Sequence, residues 1–130
     1  MKIQTEITNS PLPILKYGHP LLRKKVESVI DFADLPQFVE QMFITMYEEK
    51  GIGLAANQVG KSINLMVVDT RNVEGEEDSQ PYIFINSKII STEGSVVFEE
   101  GCLSVPNIRA EIERPESIKL QYQDLDRKVH

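Results

Sequence analysis

The chain has 130 residues, 41% of them hydrophobic and 26% charged, with 14 Lys and Arg against 20 Asp and Glu and a formal net charge of −6. That length suits one domain around one core, and the composition is ordinary for a soluble globular protein. The acidic balance argues against a general polyanion binder, which needs clustered Lys and Arg, so nucleic acid is not expected as a direct partner.

The first residues, Met1-Lys2-Ile3-Gln4-Thr5-Glu6, place no apolar run behind a basic start, so a secretory signal is not supported. No stretch approaches the roughly 18 apolar residues that a membrane span requires. A single cysteine forms no internal disulfide and fits a reducing compartment. The expected setting is the cytoplasm.

Pro11, Pro13 and Pro20 punctuate an extended opening, since each fixes its own backbone and disfavours helix just before it. Asp34 is the expected N-cap of a helix with Pro36 in its first turn. Leu35, Val39, Met42, Phe43, Met46 and Tyr47 then recur at helical spacing, and Gly51 is the expected stop.

From Ile63 onward the pattern changes to short apolar or alternating runs: Leu65 to Val68, Tyr82 to Ile85, Lys88 to Ser91 and Val96 to Phe98. Ile108, Ala110 and Ile112, then Ile118, Leu120 and Tyr122, alternate as half-buried strands should. Residues 71–80 are acidic, lack periodicity and predict an exposed loop. The sum is a single α+β domain over residues 1–130, a mostly antiparallel sheet packed around one main helix. Asp124 to Val129 predicts a hairpin turn whose returning strand is missing, which would leave an unpaired edge on Ile118 to Gln123.

Two segments stand out chemically. In Gly51-Ile52-Gly53-Leu54-Ala55-Ala56-Asn57-Gln58, glycines and alanines permit close backbone approach, and Gln58 offers amide donors and an acceptor. A helix stop followed by a tightly packed turn accounts for the same residues. In Glu100-Gly101-Cys102-Leu103-Ser104, the lone thiol reads as a small buried hydrophobe, a thiolate metal ligand or a covalent nucleophile. The nucleophile reading needs a base, and neither His19 nor His130 is convincingly placed to be one.

These two segments resemble, in order and separation, the first and second signature motifs of the peptide deformylases. The stretch Ile14-Leu15-Lys16-Tyr17-Gly18-His19-Pro20-Leu21-Leu22-Arg23 is similar to that family's N-terminal region, and the likeness runs through Arg109 and Pro115 to Asp126. The resemblance implies a peptide-deformylase-like fold and metal-dependent hydrolysis that removes the N-terminal formyl group from formylmethionyl nascent peptides at the ribosome. It implies Cys102 as a ligand of one divalent metal, Fe(II) first, with zinc or nickel as substitutes. Gln58 and the backbone N–H of Leu103 become the catalytic oxyanion donors, and Ile52, Gly53, Glu100 and Gly101 the substrate-binding wall. A monomer in the cytoplasm is implied, with no membrane partner.

One departure matters for mechanism. The family's third motif, a His-Glu-x-x-His helix supplying two further ligands and a proton-shuttling glutamate, has no counterpart among these 130 residues. Their histidines are His19, in a Gly-His-Pro turn expected to be structural, and His130, expected to be exposed and poorly ordered as termini usually are. The domain is therefore expected to be C-terminally truncated relative to the family, to lack its last strand and motif helix, and to be poorly active as it stands. The alternative is a non-catalytic relative or fragment that at most binds peptide termini.

Overall fold

The computed structural model describes residues 11–16, 18–102 and 105–130, and for 98–112 the description is confined to the backbone. Helix α1 spans Leu35–Glu48 and buries Leu35, Phe38, Val39, Met42, Thr45 and Met46. That spacing puts one stripe toward the core, where Met42 and Met46 are fully buried. Burying each such side chain stabilises the fold by roughly 2 kcal/mol. Thr45 is the polar member of the stripe; its Oγ1 donates to the Gln41 carbonyl and accepts the N–H of Leu12 at 2.7 Å, tying the N-terminal segment to the helix.

Both ends of α1 differ in detail from expectation. Asp34 occupies the N-cap position without a side-chain cap. Asp31 closes a separate local turn just before the helix, its Oδ1 accepting the N–H of Ala33 at 2.9 Å. At the C-terminus the left-handed position falls on Lys50, with φ 57°, one residue before the expected glycine. Lys50 N–H donates to the Tyr47 carbonyl and Gly51 N–H to the Met46 carbonyl, the paired bonds of a Schellman ending.

The strands are β1 (Gly53–Ala55), β2 (Leu65–Val68), β3 (Tyr82–Glu93), β4 (Val96–Cys102), β5 (Val105–Arg114) and β6 (Ser117–Gln123). A four-stranded antiparallel sheet has the order β1-β2-β3-β6, and β4 and β5 form a separate two-stranded hairpin. Alternation in β2 buries Leu65 and Val67. With Leu54, Ile85 and the α1 stripe they form the core, joined by Val29, Phe32 and Ala56. The runs at Tyr82 and Lys88 belong to one strand interrupted by an irregular register between Ile85 and Lys88. Asn86 sits in that interruption at φ 53°. Residues 71–80 are turns on an almost wholly exposed surface, as predicted.

The C-terminal expectation needs correction. The expected hairpin turn forms without a returning strand among the described residues, but the edge of β6 is not wholly unpaired: Tyr122 and His130 exchange backbone N–H to carbonyl bonds at 3.2 and 2.8 Å, and Gln123 bridges Val129. The hairpin closes because the Asp124 carboxylate accepts the N–H groups of Asp126 and Lys128. His130 is tied down as well, its ring stacked on Tyr122 at 5.3 Å and its Nε2 2.8 Å from Asp124 Oδ2. Among the described strands, the rest of β6 pairs with β3 alone.

Candidate active site

The Gly51 to Gln58 segment folds as a strand running directly into a 3₁₀ turn, Ala56–Val59. Gly60, at φ 94°, ends the turn in a conformation that suits glycine. Ala56 is fully buried, which explains a small residue there. Gly53 is a different case. A Cβ at Gly53 would meet Val67 O at 3.7 Å and Val68 Cγ2 at 3.9 Å, ordinary contacts, so packing against β2 does not require glycine.

Strand β1 is an edge of the described sheet, paired on its inner side with β2 through Gly53–Val68, Leu54–Val67 and Ala55–Met66. The Ile52 carbonyl faces β2 as well, accepting the N–H of Asp69 at 2.9 Å. Backbone groups alternate sides along a strand, so those of Gly53 and Ala55 face the outer edge. There the N–H of Ala55 donates to Gln58 Oε1 at 3.0 Å. In that bond the carboxamide presents its oxygen to the backbone, and its Nε2 is the donor group of the same side chain. Gln58 is held from below too, its carbonyl accepting the N–H of Leu15 at 2.8 Å. The N-terminal stretch noted in the sequence thus braces the turn. Beside this edge, the Ile52 side chain is 49% exposed.

Glu100, Gly101 and Cys102 lie at the end of β4, where Glu100 pairs with Ala110, Gly101 with Arg109 and Cys102 with Val105. The register shifts between Gly101 and Cys102, and the cysteine is the last residue of the strand. Leu103 lies outside the described residues, as does Ser104.

Among the described residues, no cluster of three or more His, Cys, Asp or Glu side chains is arranged to hold a metal. His19 Nδ1 accepts the N–H of Leu21 at 3.2 Å in the turn it caps, the structural role expected of it. His130 faces Asp124. Both imidazoles are engaged by these local partners, so among the described residues no Cys-His-His centre is assembled. A cleft of about 210 Å³ lined by Val29, Asp31, Asp34, Leu35, Lys61 and neighbours contains none of the predicted site residues.

The structure adds a polar cluster that sequence reading missed. Asp69, the buried carboxylate among the described residues, accepts the Tyr47 hydroxyl at 2.5 Å and is gripped by Arg71 through Nε at 3.0 Å and Nη2 at 2.7 Å. Arg71 first, and then Tyr47, hold the Asp69 carboxyl far below the usual carboxylate range. Burial first, and then the hydrogen bond to Asp69, push the Tyr47 hydroxyl up. The signal in the sequence was faint: an acid directly after the apolar run Leu65 to Val68, and a tyrosine on the border of the helical stripe.

Fold and site together define an α+β domain in which an edge strand runs into a turn bearing an oriented carboxamide. The family model described as polypeptide deformylase matches residues 11–130. A curated peptide deformylase of Wolinella succinogenes is 43% identical over 115 residues, 87% of this chain and 68% of that protein. One from Chlorobaculum tepidum is also 43% identical, over 87% of this chain and 61% of that protein. The crystal structure of the Thermotoga maritima peptide deformylase superposes with a TM-score of 0.84 at 38% identity, covering 92% of this chain and 78% of that one. The chain belongs to the peptide deformylase family, and it has the peptide-deformylase-like α+β fold.

Proposed function

We propose that these residues serve the removal of the N-terminal formyl group from formylmethionyl peptides, an amide hydrolysis. The observation that carries the reading is the common edge of β1, where the backbone groups of Gly53 and the carboxamide of Gln58 lie on the side away from β2. An extended peptide added to that edge gains main-chain hydrogen bonds with little sequence preference. Ile52 and Gly53 are assigned to the wall beside it, and Glu100 and Gly101 to substrate binding as well.

Gln58 Nε2 and the backbone N–H of Leu103 are the donors assigned to the formyl oxygen as negative charge develops on it. A well-placed donor of this kind contributes about 3 kcal/mol to the transition state. Gln58 suits that role because the bond from Ala55 to its Oε1 removes its freedom to turn away. Cys102 is assigned as one thiolate ligand of a divalent metal, iron(II) first and zinc or nickel as alternatives, whose chemistry when bound is to activate water. Among the described residues that ligand set is not completed, and the contribution assigned to them is to bind and orient the peptide. Monomeric action on formylmethionyl nascent peptides at the ribosome, in the cytoplasm, belongs to the same reading; no helix among the described residues is long and apolar enough to cross a membrane.

A second reading is favoured by the engagement of His19 with Leu21 and of His130 with Asp124. In it the 130 residues hold formylated peptide termini without turning them over, and are poorly active or inactive. Metal content and formyl-methionyl peptide hydrolysis, measured on protein purified anaerobically with Fe(II), Ni(II) or Zn(II), separate the two. Stoichiometric metal with turnover supports hydrolysis by this chain. Folded protein that binds peptide without metal or turnover supports the second reading, and folded protein that does not bind peptide overturns both.

A further inference from the structure

Between the last residue of α1, Glu48, and the first of β1, Gly53, the chain makes a short connection through Lys50 and Gly51. Both ends of this connection meet Asp69. On the helix side, the Tyr47 hydroxyl donates to its carboxylate at 2.5 Å. On the strand side, its backbone N–H donates to the Ile52 carbonyl at 2.9 Å, continuing the β1–β2 pairing one residue beyond Gly53. Arg71 closes the cluster from the solvent side, bonding both carboxylate oxygens while remaining 49% exposed, and its own N–H donates to Asp69 Oδ1 at 3.0 Å.

We infer that Asp69 is a positioning residue for the peptide-binding edge of β1, clamping the α1–β1 connection at its two ends through Tyr47 and Ile52, with Arg71 fixing its carboxylate. The inference rests on the reading that peptide adds to the Gly53 edge. The physical argument is one of alignment. Gly53 begins a three-residue strand with Ile52 just before it, and the chain reaches them through a left-handed, non-glycine residue, Lys50, followed by Gly51. A strand of three residues, paired on one side in the described sheet, is held weakly by its own ladder, so its direction is set by what grips it. The carboxylate is well suited to grip, because charge-assisted bonds to a guanidinium and a phenol are shorter and stronger than neutral ones. Its burial requires those partners to stay in place, since an unpaired buried carboxylate is costly. Loss of the clamp lets the Ile52–Gly53 edge shift, and peptide hydrogen bonds that depend on that edge weaken.

The test is the affinity of a fluorescently labelled formyl-Met-Ala-Ser peptide for the parent chain and for Asp69→Asn, Tyr47→Phe and Val29→Ala. Each is measured at a temperature where circular dichroism shows it folded. Val29→Ala destabilises the core without touching the clamp, so it reports what a merely structural loss does to binding. The expected result is a Kd raised about five- to tenfold by Asp69→Asn and about two- to fourfold by Tyr47→Phe, with Val29→Ala near parent affinity. Parent-like affinity in both clamp variants overturns the inference, as does an equal loss in Val29→Ala. Should Asp69→Asn not fold, Tyr47→Phe alone decides. Failure of the parent itself to bind the formylated peptide overturns the reading of the edge, and the inference falls with it.

Discussion

The side chain of Asn86 satisfies both backbone groups of Val29, accepting its N–H at 2.7 Å and donating to its carbonyl at 2.9 Å. The carboxamide thus takes the place of a neighbouring strand for a buried residue of the N-terminal segment. It also donates to Gln123 Oε1 at 2.8 Å on β6, while its own N–H meets the Asn64 carbonyl at 2.8 Å. Asn86 can do this because the β3 irregularity holds it at φ 53°, a region asparagine tolerates better than most residues. Asn86→Ala leaves two inward backbone groups without partners and puts alanine in a strained conformation. It should lower unfolding free energy by about 2–4 kcal/mol. Urea denaturation checks this; a loss below about 1 kcal/mol would show that water or a local shift replaces the amide.

Lys50 carries the opposite kind of prediction. A lysine at φ 57° in the Schellman ending pays the cost of a Cβ in the left-handed region, and glycine does not. Glycine also raises the entropy of the unfolded chain, which offsets part of the gain. Lys50→Gly should therefore stabilise by about 0.5–1 kcal/mol, read as a higher urea midpoint at unchanged slope. Destabilisation would mean that the lysine side chain makes a contribution larger than its backbone strain.

Asp69 gives the stability a defined pH dependence. Its folded carboxyl is held far below the ordinary range, chiefly by Arg71 and next by Tyr47, whereas the unfolded value is about 3.9. Below about pH 4 the unfolded chain takes up the proton first, so stability falls as pH falls toward the folded value and is fully present above about pH 4. Asp124, lowered first by its bond to His130, acts in the same direction. Urea midpoints of the parent and of Asp69→Asn should differ most near neutral pH and converge on acidification. A gap unchanged between neutral and strongly acidic buffer would assign the effect of the substitution to packing instead of charge.

How far the sequence was legible depended on whether a feature was periodic or conformational. The α1 stripe and the β2 alternation are periodic, and Leu35 to Tyr47 and Leu65 to Val68 were readable because burial imposes a repeat on the side chains. Lys50, Asn86 and the Asp31 turn were not readable, because each depends on the backbone geometry of a neighbour and leaves no repeat. The same divide runs through the site. Gln58 was found through motif resemblance, yet its orientation comes from Ala55 and Leu15, which no side-chain pattern announces. Asp69 was not legible because, Arg71 apart, its partners lie far off in sequence: Tyr47 meets it only when α1 packs on the sheet, and Ile52 only when β1 pairs with β2. The hairpin turn at the C-terminus was legible, but the first pairs beyond it, Tyr122 with His130 and Gln123 with Val129, were not, because they involve backbone groups that every residue possesses.

Gln58 allows binding and donation to be separated. In Gln58→Glu the side chain keeps its length and an oxygen that accepts the Ala55 N–H, so the 3₁₀ turn and the brace from Leu15 should persist. What disappears is the Nε2 donor, replaced at neutral pH by a second carboxylate oxygen that repels a carbonyl oxygen. Formylated and unformylated versions of one peptide therefore make the decisive comparison. The parent should prefer the formylated form, and Gln58→Glu should lose most of that preference, about tenfold, while binding the unformylated peptide nearly as before. Gln58→Met, similar in length and uncharged, removes the donor without adding repulsion but also gives up the oxygen that accepts the Ala55 N–H, so it should lose the formyl preference and weaken binding of both peptides. If Gln58→Glu retains the parent's preference for the formyl group, the carboxamide does not face the formyl oxygen, and its bond to Ala55 is simply the closure of a turn.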